Sequence, residues 1–246
     1  MKKLLLLSSL TLLIGASCTQ SNQINQTTED NVLTIYAYDS LTVDYGLLPA
    51  VMDQFETQQG VTVELVSFPD TGAMLNQLIV EQDNPTADVV IGLDNVNFTD
   101  VVAYDLLIPY RPQRADDIDT VLLFDNQFTM TPFDYGYVGF VYDTEALSFS
   151  EPVSLNDLAN DPAYADKIII EQAGLSSPGT QLMVWAHAAL GNSEVDEFAK
   201  QLSEQVLTVA PDWNTAYYSM FLNGEAPIVL SYLTSPAYHI DQEDTE

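Results

Sequence analysis

Three short segments place an acid beside small or aromatic residues where the chain is expected to turn: Tyr38-Asp39-Ser40, Pro69-Asp70-Thr71-Gly72 and Asp94-Asn95. Aromatic side chains gather early (Tyr36, Tyr38, Tyr45), in the middle (Tyr135, Tyr137) and late (Trp213, Tyr232, Tyr238). Several aromatic faces around one carboxylate form a seat for a flat organic cation: the rings offer stacking and cation–π attraction, and the carboxylate offers a counter-charge. Each face contributes about 0.5 to 2 kcal/mol, so a cage needs several of them. A second motif, Ser176-Ser177-Pro178-Gly179-Thr180, precedes an apolar stretch. It reads either as a helix cap with Pro in the first turn or as an anion pocket, where backbone N–H groups and the helix dipole hold a phosphate or carboxylate.

Catalytic chemistry has little to draw on. The histidines are His187 and His239 and the one cysteine is Cys18, so neither a Cys/His pair nor a multi-histidine metal cluster can be assembled. No G-x-S-x-G, Walker A or G-x-G-x-x-G occurs. His187, inside MVWAHAAL, is expected to be a core or edge residue. Adjacent Tyr217 and Tyr218 hint at iron phenolate ligation, but on one helix they point about 100° apart.

The elements that must position these residues follow from periodicity. Residues 32–38 alternate apolar and polar, residues up to Gly60 carry Leu48, Val51, Met52 and Phe55 at helical spacing, and 61–68 reads as a second strand. A helix over 73–82 and a buried third strand over 87–93 complete a βαβαβ pattern, the signature of a parallel α/β sheet that binds ligands beyond the carboxyl ends of its strands. The extended stretch 128–142 is expected to cross into a second lobe with strands at 167–171, 206–209 and 227–232 and helices over 179–190, 194–202 and 213–222.

Composition narrows the partners. Against 36 acids stand six Lys and Arg, a formal charge of −30, which makes nucleic acid and anionic lipid poor partners. A hydrophobic content of 47% supports a folded core. Residues 1–18 place Lys2 and Lys3 before an apolar run and then Gly15, Ala16, Ser17 and Cys18, the pattern of an export signal with a lipobox-like cysteine. The eleven residues from Leu4 to Ile14 rise only about 16 Å as a helix, too short to span a bilayer. Residues 19–31 read as a flexible tether.

Five segments taken together, LTIYAYDS (33–40), ADVVIGLDN (87–95), PFDYGYVGFVYD (132–143), SSPGTQLMVW (176–185) and the block 212–240, resemble the thiamine-binding substrate-binding proteins of bacterial ABC importers. The resemblance implies an α/β, two-lobed, periplasmic-binding-protein-like clamp that carries thiamine, often also its phosphate esters, to a membrane permease driven by an ATPase. It implies no catalysis, cofactor or metal. By position, Asp70 corresponds to the acid facing the thiazolium, Tyr38 and Tyr45 to ring-contacting positions, and Trp213, Tyr232 and Tyr238 to aromatics of the second lobe and hinge. Ser177 and Gly179, with Ser176 and Thr180, match the phosphate-end loop. The corresponding division is 1–18 signal peptide, 19–31 tether, 32–133 first lobe, 134–231 hinge crossing and second lobe, and 232–246 a return crossing. Family members continue well beyond this terminus, so the chain is expected to be truncated. The expected location is the periplasm or the outer membrane face, with Cys18 lipid-anchored. The competing readings are a ferric-iron or polyamine carrier and, from another class, an exported hydrolase or thiamine-degrading enzyme.

Overall fold

Val32–Tyr38 (β1), rich in β-branched and aromatic residues, is the central strand of the first sheet. It pairs in parallel with Thr62–Phe68 (β2) on one side and Val89–Ile91 (β3) on the other, giving the order β2-β1-β3. This computed structural model describes residues 31–44, 46–147, 152 and 154–242. The export signal, Cys18, nearly all of the tether and Tyr45 lie outside the described residues.

Asp39–Thr42 (α1) and Leu47–Gln59 (α2) connect β1 to β2, and α2 stops at Gly60, whose φ of 67° is the left-handed cap that glycine adopts at least cost. Thr71–Val80 (α3) and Phe98–Ala103 (α4) follow β2 and β3. Helices cover both faces of the sheet: Ile35, Ala37 and Val63 pack with Leu41 and Leu48 on one, while Tyr36 packs with Met74 and Leu78 on the other. Two differences from the sequence reading appear. The third strand is only three residues long and is half-buried, with Val89 37% exposed, because it is an edge strand paired on one side alone. Of the extended stretch 128–142, only Val138–Tyr142 (β4) is strand, and Phe133, Tyr135 and Tyr137 are exposed on irregular chain.

The second sheet takes up β4, then Ile168–Glu171 (β5), Val206–Ala210 (β6) and Ile228–Tyr232 (β7), in the order β4-β7-β5-β6. β4 runs antiparallel to β7, and β5 lies parallel to both β7 and β6. Ile228, Val229 and Leu230 of β7 are fully buried, so the strand is apolar on both faces. Leu155–Asn160 (α5), Ser177–Leu190 (α6) and Val195–Gln205 (α7) pack over Ile228 and Leu230 through Leu158, Leu182, Phe198 and Leu202. On the opposite face Val229 meets Tyr217 and Ala216 of a π-helical turn, Thr215–Met220, which continues as a 3₁₀ turn, Phe221–Asn223, and stops at Gly224. This pair of turns replaces the expected α-helix over 213–222. His187 is exposed on α6 and not in the core. The segment expected as a return crossing carries a further helix, Ser235–Gln242 (α8).

Leu230→Ala, which empties a fully buried site on an interior strand of the second sheet, should cost about 2 to 5 kcal/mol in urea unfolding. Val80→Ala, at a position 80% exposed, should stay within about 0.5 kcal/mol. Equal costs at the two positions would contradict this packing.

Candidate functional site: a cleft closed over Asp70

Asp70, in extended backbone, is the N-cap of α3, and its Oδ1 accepts the Thr71 N–H at 2.7 Å. The same oxygen accepts the N–H of Ser177, the first residue of α6 in the other lobe, at 3.1 Å. One carboxylate therefore caps two helices from two sheets, and both dipoles aim their positive ends at it. Burial raises the Asp70 carboxyl above its ordinary value, and the nearby Ser176 hydroxyl and the N–H groups of Ser177, Thr71 and Trp213 oppose that rise.

Further polar contacts join the lobes around this point. The Ser177 hydroxyl donates to Asp94, and Gln181, one helical turn on, donates to Asp94 at 3.3 Å and to Asn95 at 2.8 Å. The Asn214 side-chain amide donates to Asp39. The Gly72 N–H donates to the Leu175 carbonyl at 2.9 Å, and a Cβ there would lie 2.4 Å from that oxygen, so the approach requires glycine. Burial raises the Asp39 carboxyl, opposed by the Asn214 hydrogen bond.

Aromatic groups form the second-lobe wall. The Trp213 indole N–H donates to the Ser231 hydroxyl at 2.9 Å, which fixes the ring. Its ring stacks on Tyr217 at 5.2 Å and meets Tyr218 and Tyr232 edge-on at 5.4 and 5.8 Å. Burial, then Asp134, Asp70 and Asp39, push the Tyr38 phenol up to about 12. Burial and the neighbouring Tyr38 and acids hold Tyr232 well above 10.0 as well, so both phenols stay protonated as hydrogen-bond donors.

Tyr38, Asp39, Asp70, Trp213, Asn214 and Tyr232 surround a cavity of about 20 Å³. That is room for about one water molecule and far too little for a heteroaromatic ring. The cavity shares Tyr38, Trp213 and Tyr232 with a groove of about 2120 Å³, along which Tyr135, Tyr137, Trp185, Ser177 and Gln181 also lie. Among the described residues lining it there is no Lys or Arg. Positive charge in this groove must come from outside the lining.

Of the sequence-predicted residues, Tyr38, Asp70, Ser177, Trp213 and Tyr232 meet in one place. The others do different work. Ser176 is buried at the α6 N-cap. A Cβ on Gly179 would lie 2.3 Å from the Glu171 carbonyl oxygen, so Gly179 serves close helix–strand packing. The Thr180 hydroxyl accepts the Gly174 N–H at 2.8 Å and faces the Ser176 carbonyl at 2.9 Å, holding the loop before α6. Tyr238 is 39% exposed, lies edge-on to His239 at 5.6 Å, and is not among the described lining residues. Tyr45 falls outside the described residues. The anion seat expected at the start of α6 is engaged by Asp70 and Asp94 of the other lobe, so the two seats abut and do not face each other across open space.

Sequence reasoning passed over Gln181, Asn214 and Glu171. Gln181 stands four residues after Ser177 on one helix face, a signal that spacing offers. Glu171 closes the otherwise apolar strand IIIE. It is 2% exposed, neither carboxylate oxygen has a hydrogen-bond partner, and burial, with Asp70 and Asp212, pushes its carboxyl up to about 9.

Two α/β lobes meeting at their strand ends over a groove of acids and aromatic faces define a binding clamp. Residues 50–243 match the family of bacterial extracellular solute-binding proteins, and the chain belongs to that family. It is 38% identical over 212 residues to the thiamine-binding periplasmic protein of Escherichia coli K12, covering 86% of this chain and 63% of that protein. The Brucella abortus protein of the same name is also 38% identical, over 87% of this chain and 62% of its own length. A solved periplasmic thiamin-binding protein superposes with a TM-score of 0.79 at 36% identity, covering 87% of this chain and 65% of that one. The chain thus spans less than two thirds of the length of these relatives.

Glu171 gives stability a defined pH dependence. Its carboxyl ionises near 4.5 in the unfolded chain and near 9 in the folded one, so folding retains a proton that the unfolded chain loses. The resulting stability is fully present below about pH 4.5 and is lost progressively as pH rises towards 9. Glu171→Gln should flatten the decline in urea-measured stability between about pH 5 and 8 and exceed the parent at pH 8. A slope identical to the parent's would place a charged carboxylate at Glu171.

Proposed function

We propose that the chain is the thiamine-binding part of an extracytoplasmic solute-binding component of an ABC importer. The observation that carries this reading is Asp70. It is a buried carboxylate at the junction of two lobes, beside Tyr38, Trp213 and Tyr232 in a small cavity that adjoins a groove whose described lining holds no basic side chain. A thiazolium is a flat ring with permanent charge, and it gains from both the ring faces and the carboxylate. Relatives named as thiamine-binding support this choice of cation. The cavity beside Asp70 is too small for the ring, so binding requires the Asp70–Ser177 contact to part and the lobes to re-close on the ligand. Ser177, once released from Asp70 and Asp94, is placed to meet the phosphate of a thiamine ester.

In this reading the partners are a membrane permease and its ATPase, which recognise the closed clamp. The protein works outside the cytoplasm, in the periplasm or held to the outer membrane face through Cys18. It performs no catalysis. Iron carriage is the poorer fit: Tyr217 is 1% exposed, stacked behind Trp213 as part of the core.

Calorimetric titration with thiamine tests the proposal. The parent chain should bind, and Asp70→Asn should weaken binding by about 1 to 3 kcal/mol, roughly 5- to 150-fold, with an unchanged circular dichroism spectrum. Unchanged affinity would remove Asp70 from the site. Absence of binding by the folded parent would end the thiamine reading.

A further inference from the structure

Glu171 has no part in the cage described above, yet it is the most shielded acid near it. It shares a strand face with Ile169, which belongs to the core cluster of Tyr217 against which Trp213 packs. The titratable groups around it are Asp212 beyond β6, Tyr232 on β7, and Asp70 at the cap of α3. Behind the turn stands His239 of α8, stacked on Tyr217 at 5.6 Å. α6 contributes Gly179 against the Glu171 backbone. Lys167, the basic residue nearest in sequence, precedes β5 at its other end. The described arginines Arg111 and Arg114 pair with Asp116 and Asp117 at exposed positions.

A carboxyl 2% exposed, opposed by nothing beyond its own backbone N–H and set among acidic neighbours, holds its proton. A positive charge placed beside Asp70 reverses the sign of the field that keeps it there. Resting on the cation reading above, we propose that Glu171 is a second counter-charge of the cleft, formed by loss of its proton when a cationic ligand settles beside Asp70. The O–H bond of the carboxyl breaks, its proton passes to solvent, and the carboxylate stays. One positive charge enters as one leaves, so the cleft's charge is unchanged. Asp70 gives the site its standing charge, and Glu171 supplies a charge only on demand.

The test is calorimetric titration of the chain with thiamine at pH 8, in buffers of widely different ionisation enthalpy. The thiazolium nitrogen is quaternary, so its charge does not vary with pH. The observed enthalpy should change linearly with buffer ionisation enthalpy, with a slope of about 0.5 to 1 proton released per thiamine bound, and affinity should rise several-fold per unit between about pH 6.5 and 8.5. Glu171→Gln should bind with a slope near zero. Binding without proton release, with affinity flat in pH, would overturn this proposal and leave the thiamine reading standing. Release that persists in the Gln variant would overturn it as well. No binding at all would overturn both. Absence of release by the parent overturns the proposal whether or not the Gln variant folds, and where that variant does not fold Glu171→Met, which fills a similar apolar volume, takes its place in the same buffer series.

Discussion

One buried carboxylate bonds to both halves of this molecule where the strand ends of the two lobes meet. Asp70 caps α3 within its own lobe and α6 across the cleft through a single oxygen. A buried carboxylate is tolerated only while donors face it, and here the donors come from both lobes. Anything that separates the lobes must therefore replace the Ser177 N–H with water or with a positive charge. In the proposed function, an entering cation takes the place of the Ser177 N–H, one of the donors that face Asp70.

The paucity of basic residues sharpens this requirement. A typical acidic cleft is partly neutralised by nearby Lys or Arg, whereas the described lining here contains neither. Tyr38 and Tyr232 stay protonated, and Glu171 stays neutral because burial and its acidic neighbours favour the uncharged form. The described groove lining thus carries acids without a basic counterpart, which favours an external cation. Trp213, pinned by Ser231, supplies a ring face whose orientation is set before any ligand arrives.

Local periodicity made much of the first lobe legible. The alternation of β1, the glycine stop after α2 and the acids at the strand ends all appear where spacing put them, because each depends on residues a few positions apart. What was not legible depends on distant partners. Asn214 meets Asp39 and Gln181 meets Asp94 across the cleft, and no local pattern encodes those pairings. The motif at 176–180 reads from the sequence either as a helix cap or as an anion pocket, and the anions it meets are the protein's own acids. The third strand looked buried because its residues are Val and Ile, but its edge position leaves it half-covered. The 213–222 segment has helical spacing but winds as a π turn over Thr215–Met220 and a 3₁₀ turn after it, and Trp213 stacks on Tyr217.

A crystal structure of the chain grown with thiamine tests most directly whether a cation displaces α6 from Asp70. The account predicts the thiazolium against the Asp70 carboxylate, between the rings of Tyr38, Trp213 and Tyr232, with the Ser177 N–H withdrawn from Asp70. A thiamine bound elsewhere in the groove, with the Asp70–Ser177 hydrogen bond intact, would contradict it.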